Sequence, residues 1–315
     1  MRAQGSPVVV VTGASSGIGR ETARTFARRR SRVVLASRSR AALETVATEC
    51  RDLGAQVHVV PTDVADEGAV RALAAAAVAE FGRIDVWVGN AGVFGYGSFE
   101  QTPARVFRQI VETNLMGQVH GARAVLPYFR RQGSGTLILV GSLFSRVSSP
   151  SLSAYVTSKF GLLGFAESLR QDLRGSRGIR VRLILPATID TPIYQHAFNA
   201  TGRHVHPLPP VSSPRRVARA IERSPRRRRF ATHVGQTLRG STVLHRVSVP
   251  AYDAVNSFLM DNVELRGDGA KLTDGTVFQP PVEAGATTGG WRSPVKRMLG
   301  WTAVAGIAVA LTRRR

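Results

Sequence analysis

Tyr155 and Lys159 stand four residues apart in the stretch Ser153-Ala154-Tyr155-Val156-Thr157-Ser158-Lys159-Phe160-Gly161. The run from Tyr155 to Leu173 reads as a helix, and residues four apart on a helix share one face. A phenol near an ammonium is an acid/base device. The cation favours the phenolate and draws the tyrosine pKa down from its ordinary value near ~10. Alone, such a pair is common on helix surfaces and proves nothing. Its meaning depends on which elements surround it. Ser142 emerges thirteen residues before Tyr155, just past the apolar run Thr136–Val140, so a hydroxyl also stands at a strand end.

The chain upstream supplies a scaffold. Pro7 to Val11 is a short apolar run rich in β-branched residues, the pattern of a buried parallel strand. It leads into Thr12-Gly13-Ala14-Ser15-Ser16-Gly17-Ile18-Gly19 and then a helical pattern, Arg20 to Arg30. Glycines between strand and helix permit a tight turn, and the helix N-terminus offers free N–H groups to a phosphate. A second strand, Arg32 to Ala36, ends at Ser37-Arg38 without the acid that a dinucleotide site uses for a ribose 2′-hydroxyl. Arg38 beside that slot suits a 2′-phosphate by charge and fork geometry, which favours NADP(H) over NAD(H). Helix Arg40–Leu53, strand Gln56–Val60, helix Glu67–Phe81 and strand Ile84–Val88 continue the alternation. Asp63-Val64 and Asn90-Ala91-Gly92 follow the third and fourth strands, where ligands bind in such sheets. A glycine- and aromatic-rich loop, Phe94 to Phe99, precedes a long helical stretch from Thr102 towards Phe129 that contains Asn114. Arg180–Leu185 is another apolar strand, and Thr188 to Pro192 forms the loop beyond Pro186. The expected fold is α/β: a Rossmann-like doubly wound parallel sheet in three α/β/α layers.

These residues together resemble the short-chain dehydrogenase/reductase family, over roughly residues 7–192. Thr12-Gly13-x-x-x-Gly17-x-Gly19 resembles its cofactor loop, with Ser15, Ser16 and Ile18 between the glycines. Asp63 resembles the residue that contacts adenine, with Val64 beside it. Asn90-Ala91-Gly92 matches the motif that steadies the sheet, although Gly89 stands where a second asparagine is more usual. Asn114, Ser142, Tyr155 and Lys159 resemble the catalytic tetrad, and Pro186 to Thr191 the segment embracing the nicotinamide, with Ala187 where glycine is common. The resemblance implies an oxidoreductase that interconverts a secondary alcohol and a carbonyl. Tyr155 would be the general acid/base, Lys159 would lower its pKa and hold the ribose, and Ser142 would orient the carbonyl. Asn114 would hold a water linking Lys159 to solvent, and Thr191 would bind the carboxamide. A homo-oligomer, dimer or tetramer, built partly through the helices bearing Asn114 and Tyr155, is also implied. Each residue keeps a structural alternative: Ser142 capping a turn, Asn114 satisfying backbone, Asp63 capping the next helix, Thr191 starting one.

Composition fits this reading. With 315 residues, 43% hydrophobic and 20% charged, the chain is a globular core former. Its one cysteine, Cys50, leaves no intramolecular disulfide or cysteine-cluster metal site, and with no visible signal peptide a cytoplasmic location is expected. The net charge of +22 comes almost wholly from arginine, concentrated between Arg215 and Arg229. It keeps a second class open, a nucleotide-binding regulator or nucleic-acid binder, but no aromatic-interleaved basic motif supports base recognition. His196, His204 and His206 fall in a His- and Pro-rich stretch, 193–213, with no acidic or cysteine partner grouped with them, and read as a surface loop within a variable substrate region, 190–225. Ser213-Pro214 begins a helix, with Ser213 as N-cap, and Phe230–Val234 is the last strand of a catalytic domain ending near residue 236.

Beyond it, residues 237–291 form a C-terminal extension. Leu238–Met260 looks helical with a break at Pro250, and Gly267 to Gly290 looks loop-like. Residues 298–311 are a 14-residue apolar run flanked by basic residues within a tail, 292–315. As a helix this run would extend ~21 Å, short of a ~30 Å hydrocarbon core. Dipping into one membrane leaflet and packing on protein or on a second subunit fit it equally.

Overall fold

The computed structural model describes residues 6–235, 237–281 and 285–292. The apolar tail run at 298–311 and its proposed membrane contact lie outside the described residues. Among the described residues no helix is long and apolar enough to cross a membrane.

Seven strands form one parallel sheet: β1 (Val8–Thr12), β2 (Arg32–Ser37), β3 (Gln56–Pro61), β4 (Val86–Gly89), β5 (Gly135–Val140), β6 (Ile179–Pro186) and β7 (Ala231–Val234). Their spatial order is β7-β6-β5-β4-β1-β2-β3, and every neighbouring pair is parallel. The order reverses between β1 and β4, so the connections leave that point to opposite sides and open a crevice at the strand C-terminal ends. β1 and β5 are buried at every position, which is why both read as unbroken apolar runs and not as an alternating pattern.

Helices cover both faces. α1 (Gly17–Ala27), α2 (Arg40–Asp52) and α7 (Pro214–Arg223) place Phe26, Leu43, Val46, Val217 and Ile221 against one face. α3 (Glu67–Phe81), α5 (Gly117–Gln132) and α6 (Ser153–Asp172) place Leu73, Val125, Phe129 and Leu162 against the other. The three-layer architecture is therefore as expected. The Asp66 carboxylate caps α3 by accepting from the Gly68 and Ala69 N–H groups, so the capping role left open for Asp63 belongs to Asp66. Ser213 does precede α7, but its side chain makes no capping bond. Pro214 at the first position already has a fixed φ and no N–H to satisfy.

The expected helix from Thr102 to Phe129 is not continuous. α4 (Ala104–Val111) passes into a π turn, Glu112–Met116, before α5 begins. Asn114 sits in that turn. Downstream, α8 (Thr237–Val247) and α9 (Val249–Leu259) meet at Ser248, whose hydroxyl accepts from the Ala251 N–H. The break thus lies before Pro250, which occupies the first turn of α9, where a missing N–H costs nothing. A second π turn, Met260–Glu264, leads into a short strand, Leu265–Asp268, that pairs antiparallel with Arg203–Val205. The strand Arg203–Val205, from the stretch expected as a surface loop, is therefore joined to the extension across its boundary.

Candidate active site

The switch-point crevice is a cavity of about 980 Å³. Its walls include Gly13, Ser15, Ser16, Gly17, Ile18, Arg38, Asp63, Val64, Asn90, Ser142, Tyr155, Lys159 and Thr191. The residues singled out in the sequence thus converge, with two exceptions. Gly19 lies beneath the turn, and Asn114 is fully buried behind the wall.

β5 delivers Ser142 and α6 delivers Tyr155 and Lys159. The Ser142 hydroxyl accepts from the Phe144 N–H at 3.2 Å, while Ser145 Oγ accepts from the Ser142 N–H, a capping box on a single turn. That turn fixes the Ser142 rotamer, and its hydroxyl lies close enough to the Tyr155 phenol to draw the phenol's pKa down. Capping and substrate-facing roles therefore coexist in one hydroxyl. Lys159 Nζ donates to the Val140 carbonyl at 3.1 Å and lies 5.6 Å from the Tyr155 ring centroid. Phe94 packs on Tyr155 with centroids 4.1 Å apart.

Electrostatics here differ from the sequence expectation. Burial pushes the Tyr155 phenol up to about 12, against a smaller downward pull from the nearby Ser142 hydroxyl. Burial also lowers the Lys159 ammonium to about 8. Desolvation disfavours whichever form is charged, so it raises a phenol and lowers an ammonium. Burial thus sets the direction for both groups, and for Tyr155 it is the reverse of the lowering expected.

Asn114 makes the backbone contacts left open as its structural alternative. Its amide Oδ1 accepts from the Val93 N–H at 2.8 Å, and its Nδ2 donates to the Val93 carbonyl and to Ser158 Oγ. The side chain locks the loop after β4 to α6 and is fully engaged there. Asn90 is similarly occupied, donating to the Thr12 and Gly13 carbonyls. Thr12 Oγ1 in turn accepts from the Asn90 and Ala91 N–H groups, tying β1 to β4 at the switch point.

The glycine turn has the shape a dinucleotide needs. Gly13 and Gly17 have φ of +64° and +52°, a region that favours glycine. A Cβ on Gly19 would fall 2.0 Å from the Gly13 carbonyl oxygen, so the turn closes onto α1 only without a side chain. At the end of β2, the buried Ser37 hydroxyl has no hydrogen-bond partner among the described residues. It lines the cavity beside Arg38. A buried hydroxyl left unsatisfied at that position fits a ribose or phosphate oxygen. Sequence reading passed over Ser37 because serine at a strand end is unremarkable without its burial. Thr191 precedes a single turn, Pro192–Tyr194, and its hydroxyl makes no capping bond there.

One arrangement was not expected. Of the segment read as a loop, 267–290, the described parts, 267–281 and 285–290, lie over the cleft as a strap. The Gly17 N–H at the head of α1 donates to the Ala286 carbonyl at 3.1 Å, and Arg20 donates to the Gly285 carbonyl at 2.6 Å. Arg38, expected to face a 2′-phosphate, donates to the Thr276 carbonyl at 2.7 Å and the Val277 carbonyl at 3.3 Å. Asp190 accepts from the Gly289 and Trp291 N–H groups. The strap thus runs over positions from Arg38 to Thr191. Asp63 faces Arg38 electrostatically, and its Oδ1 accepts from the Ala65 N–H. Among the described residues, no group of three or more His, Cys, Asp or Glu side chains is disposed to hold a metal.

The sheet and this cleft define the class, a Rossmann-type α/β protein with tyrosine, lysine and serine at the ligand end. A family model described as short chain dehydrogenase matches residues 7–201. The chain belongs to the short-chain dehydrogenase/reductase family, a family of oxidoreductases that bind a nicotinamide cofactor. It is 37% identical over 217 residues to an uncharacterized oxidoreductase, YxnA, of Bacillus subtilis, which covers 68% of this chain and 61% of that protein. It is 41% identical over 194 residues to 2-(R)-hydroxypropyl-CoM dehydrogenase of Xanthobacter autotrophicus, covering 60% of this chain and 77% of that one. A short chain dehydrogenase/reductase from Burkholderia phymatum in complex with NAD superposes with a TM-score of 0.70 at 26% identity, covering 80% of this chain and 97% of that one. An alcohol dehydrogenase from Thermococcus sibiricus complexed with 5-hydroxy-NADP gives 0.65 at 25% identity, covering 73% and 96%. The family match ends at residue 201. The strap and the α8–α9 pair lie beyond it.

Proposed function

We propose that this chain is an NADP(H)-dependent oxidoreductase interconverting a secondary alcohol and a carbonyl on an apolar substrate. The observation that carries the reading is the convergence of Tyr155, Ser142 and Lys159 on one wall of a largely apolar cavity. In the reducing direction Tyr155 donates its phenolic proton to the substrate oxygen, and Ser142 orients that oxygen by a second hydrogen bond. Lys159, protonated below pH 8, supplies the positive field that stabilises the tyrosinate formed. Because the Asn114 amide is occupied, a proton path from Lys159 would use backbone groups of the π turn around it, where the regular helical bonding is interrupted.

The nicotinamide, when bound, supplies or accepts the hydride. Ser15, Ser16, Gly17 and Ile18 would hold its pyrophosphate, Asp63 and Val64 the adenine side, and Thr191 and Lys159 the nicotinamide side. Asn90 serves by holding the glycine turn in place. Ser37 and Arg38 favour a 2′-phosphate, since no acid stands at the end of β2 to repel one. The solved relatives carry NAD in one case and an NADP derivative in the other, and do not decide the preference. Homo-oligomerisation through α5 and α6 accompanies this reading, with Phe160 on α6 still 42% exposed.

The test is NADPH oxidation against a panel of apolar ketones, alongside Tyr155→Phe. Removal of the proton donor should lower kcat by roughly 10²–10⁴-fold with NADPH affinity retained. If Tyr155→Phe keeps full activity on a confirmed substrate, the acid/base assignment is wrong.

A further inference from the structure

The end of the cavity away from the glycine turn is walled by rings and aliphatic chains: Phe94, Tyr96, Tyr194, Tyr252, Leu259 and Val263. One carboxyl group is set into that wall. Glu264 closes the second π turn and is 8% exposed. Its side-chain hydrogen bond is a long one from Tyr96 Oη, 3.4 Å away, and no ion pair to it occurs among the described residues. Arg266 lies two residues on, but its Nε donates to the Val263 carbonyl. Burial holds the Glu264 carboxyl up at about 7, with the Tyr96 hydrogen bond pulling it down.

This position is built into the backbone. The Glu264 carbonyl accepts from the His206 N–H at 2.7 Å, and the adjoining Leu265 pairs with Val205 across the small antiparallel sheet. Burying a carboxyl costs several kcal/mol unless hydrogen bonds replace its water, and one long bond replaces little. Acceptor capacity therefore remains towards the cavity. Phe94 separates this carboxyl from the reacting end: its ring lies 4.1 Å from Tyr155 and 5.0 Å from Tyr96, centroid to centroid. The packed rings of Phe94 and Tyr96 thus lie in sequence between the Tyr155 ring and this carboxyl.

We propose that Glu264 is a substrate-binding residue that accepts a hydrogen bond from a hydroxyl group at the far end of an apolar substrate, so that the preferred substrate is a hydroxy-ketone and its product a diol. The proposal rests on the carbonyl-reductase reading of the same cavity and adds the second functional group of its substrate. A neutral donor suits the site better than an ammonium group, because Arg216, Arg266 and Arg292 also line the cavity and would repel a second cation.

The experiment compares straight-chain methyl ketones of roughly six to twelve carbons with their ω-hydroxy counterparts, in the full-length chain with NADPH. At the length that spans the cavity the wild type should favour the hydroxy-ketone by roughly 10–100-fold in kcat/KM, expressed mainly in KM, as expected for a hydrogen bond to a charged acceptor. Glu264→Leu should erase that preference while leaving the parent ketone within about threefold, and Glu264→Gln should keep part of it. The wild-type preference should also grow as pH rises through 7, where the carboxyl ionises. The proposal is overturned if no chain length shows a preference above about threefold, or if Glu264→Leu lowers both substrate classes equally. Absence of turnover on every ketone would count against the redox reading instead. In that case thermal shifts with the matching diols and mono-alcohols read Glu264 without catalysis. Equal shifts for both would overturn the proposal, and a diol-specific shift lost in Glu264→Leu would support it.

Discussion

Replacing Lys159 with methionine should stabilise the protein while abolishing its proposed chemistry. The side chain is 4% exposed, and burial lowers its ammonium from 10.5 to about 8. A shift of that size corresponds to about 3 kcal/mol of penalty for carrying the charge in the folded state. Against this, methionine abandons the hydrogen bond to the Val140 carbonyl, and an acceptor left unsatisfied in the interior costs about 1–3 kcal/mol. Methionine also fills nearly the same volume, so cavity terms are small. The desolvation term is the larger, and the net gain at pH 7 is about 1 kcal/mol.

The pH dependence separates this argument from generic repacking. A lysine whose folded pKa is depressed binds fewer protons in the folded than in the unfolded state between the two values. Wild-type stability therefore rises, relative to the variant, as pH goes from about 8 to 10.5, and the penalty is complete below 8. Tyr155 contributes with the opposite sign from about pH 10 upward, but its folded value near 12 lies above this window, so only its unfolded-state titration enters and that is common to both proteins. Urea unfolding of both proteins at pH 7 and at intervals up to 10.5 measures this directly. A stability difference that stays constant across that window would refute the assignment of a buried, depressed ammonium. Loss of turnover with NADPH binding retained would complete the expected pattern.

Two further outcomes follow from the glycine turn and the strap. Gly19→Ala places a Cβ 2.0 Å from the Gly13 carbonyl oxygen, so unfolding stability should fall by about 3–5 kcal/mol and NADPH binding should be lost, read by denaturation and fluorescence titration. Ending the chain after residue 281 removes the Gly285 and Ala286 carbonyls from Arg20 and Gly17 while keeping Val277 in its core cluster. Freed of that competition, NADPH should bind roughly 5–100-fold tighter, the equivalent of one or two hydrogen bonds; unchanged or weaker binding would show that the strap does not compete.

Much of the sheet was legible because its strands are buried on both faces. Val8 to Val11 and Leu137 to Val140 are unbroken apolar runs, each followed by the polar residues that reach the crevice. Ser142, Tyr155 and Lys159 were singled out by their resemblance to a family pattern, and the sheet brings them to one cleft. The direction of the Tyr155 pKa was not legible, since it depends on how completely Phe94 and Phe144 enclose the ring, a contact between residues far apart in sequence. The π turn at Asn114 was hidden as well, because its residues keep helical periodicity while one backbone bond is displaced. Glu264 gave no signal at all. A glutamate between Val263 and Leu265 reads as an exposed position, and only the pairing of Leu265 with Val205 turns it inward.

Arg38 shows how a local inference can miss a residue's present partner. The absence of an acid after β2 is a local fact and supports a phosphate-binding role. The Thr276 and Val277 carbonyls that Arg38 now meets come from more than two hundred positions away, in a segment without periodicity. Both partners satisfy the same chemical demand. A guanidinium at the mouth of a cleft must be supplied with acceptors, and a phosphate and a pair of peptide carbonyls each supply them. The phosphate brings charge, so it wins the exchange wherever the strap can move. The Gly17 N–H faces the same choice between the Ala286 carbonyl and a pyrophosphate oxygen. A cofactor bound at these donors would have to displace the strap carbonyls from them, and it is this exchange that the chain ended after residue 281 measures.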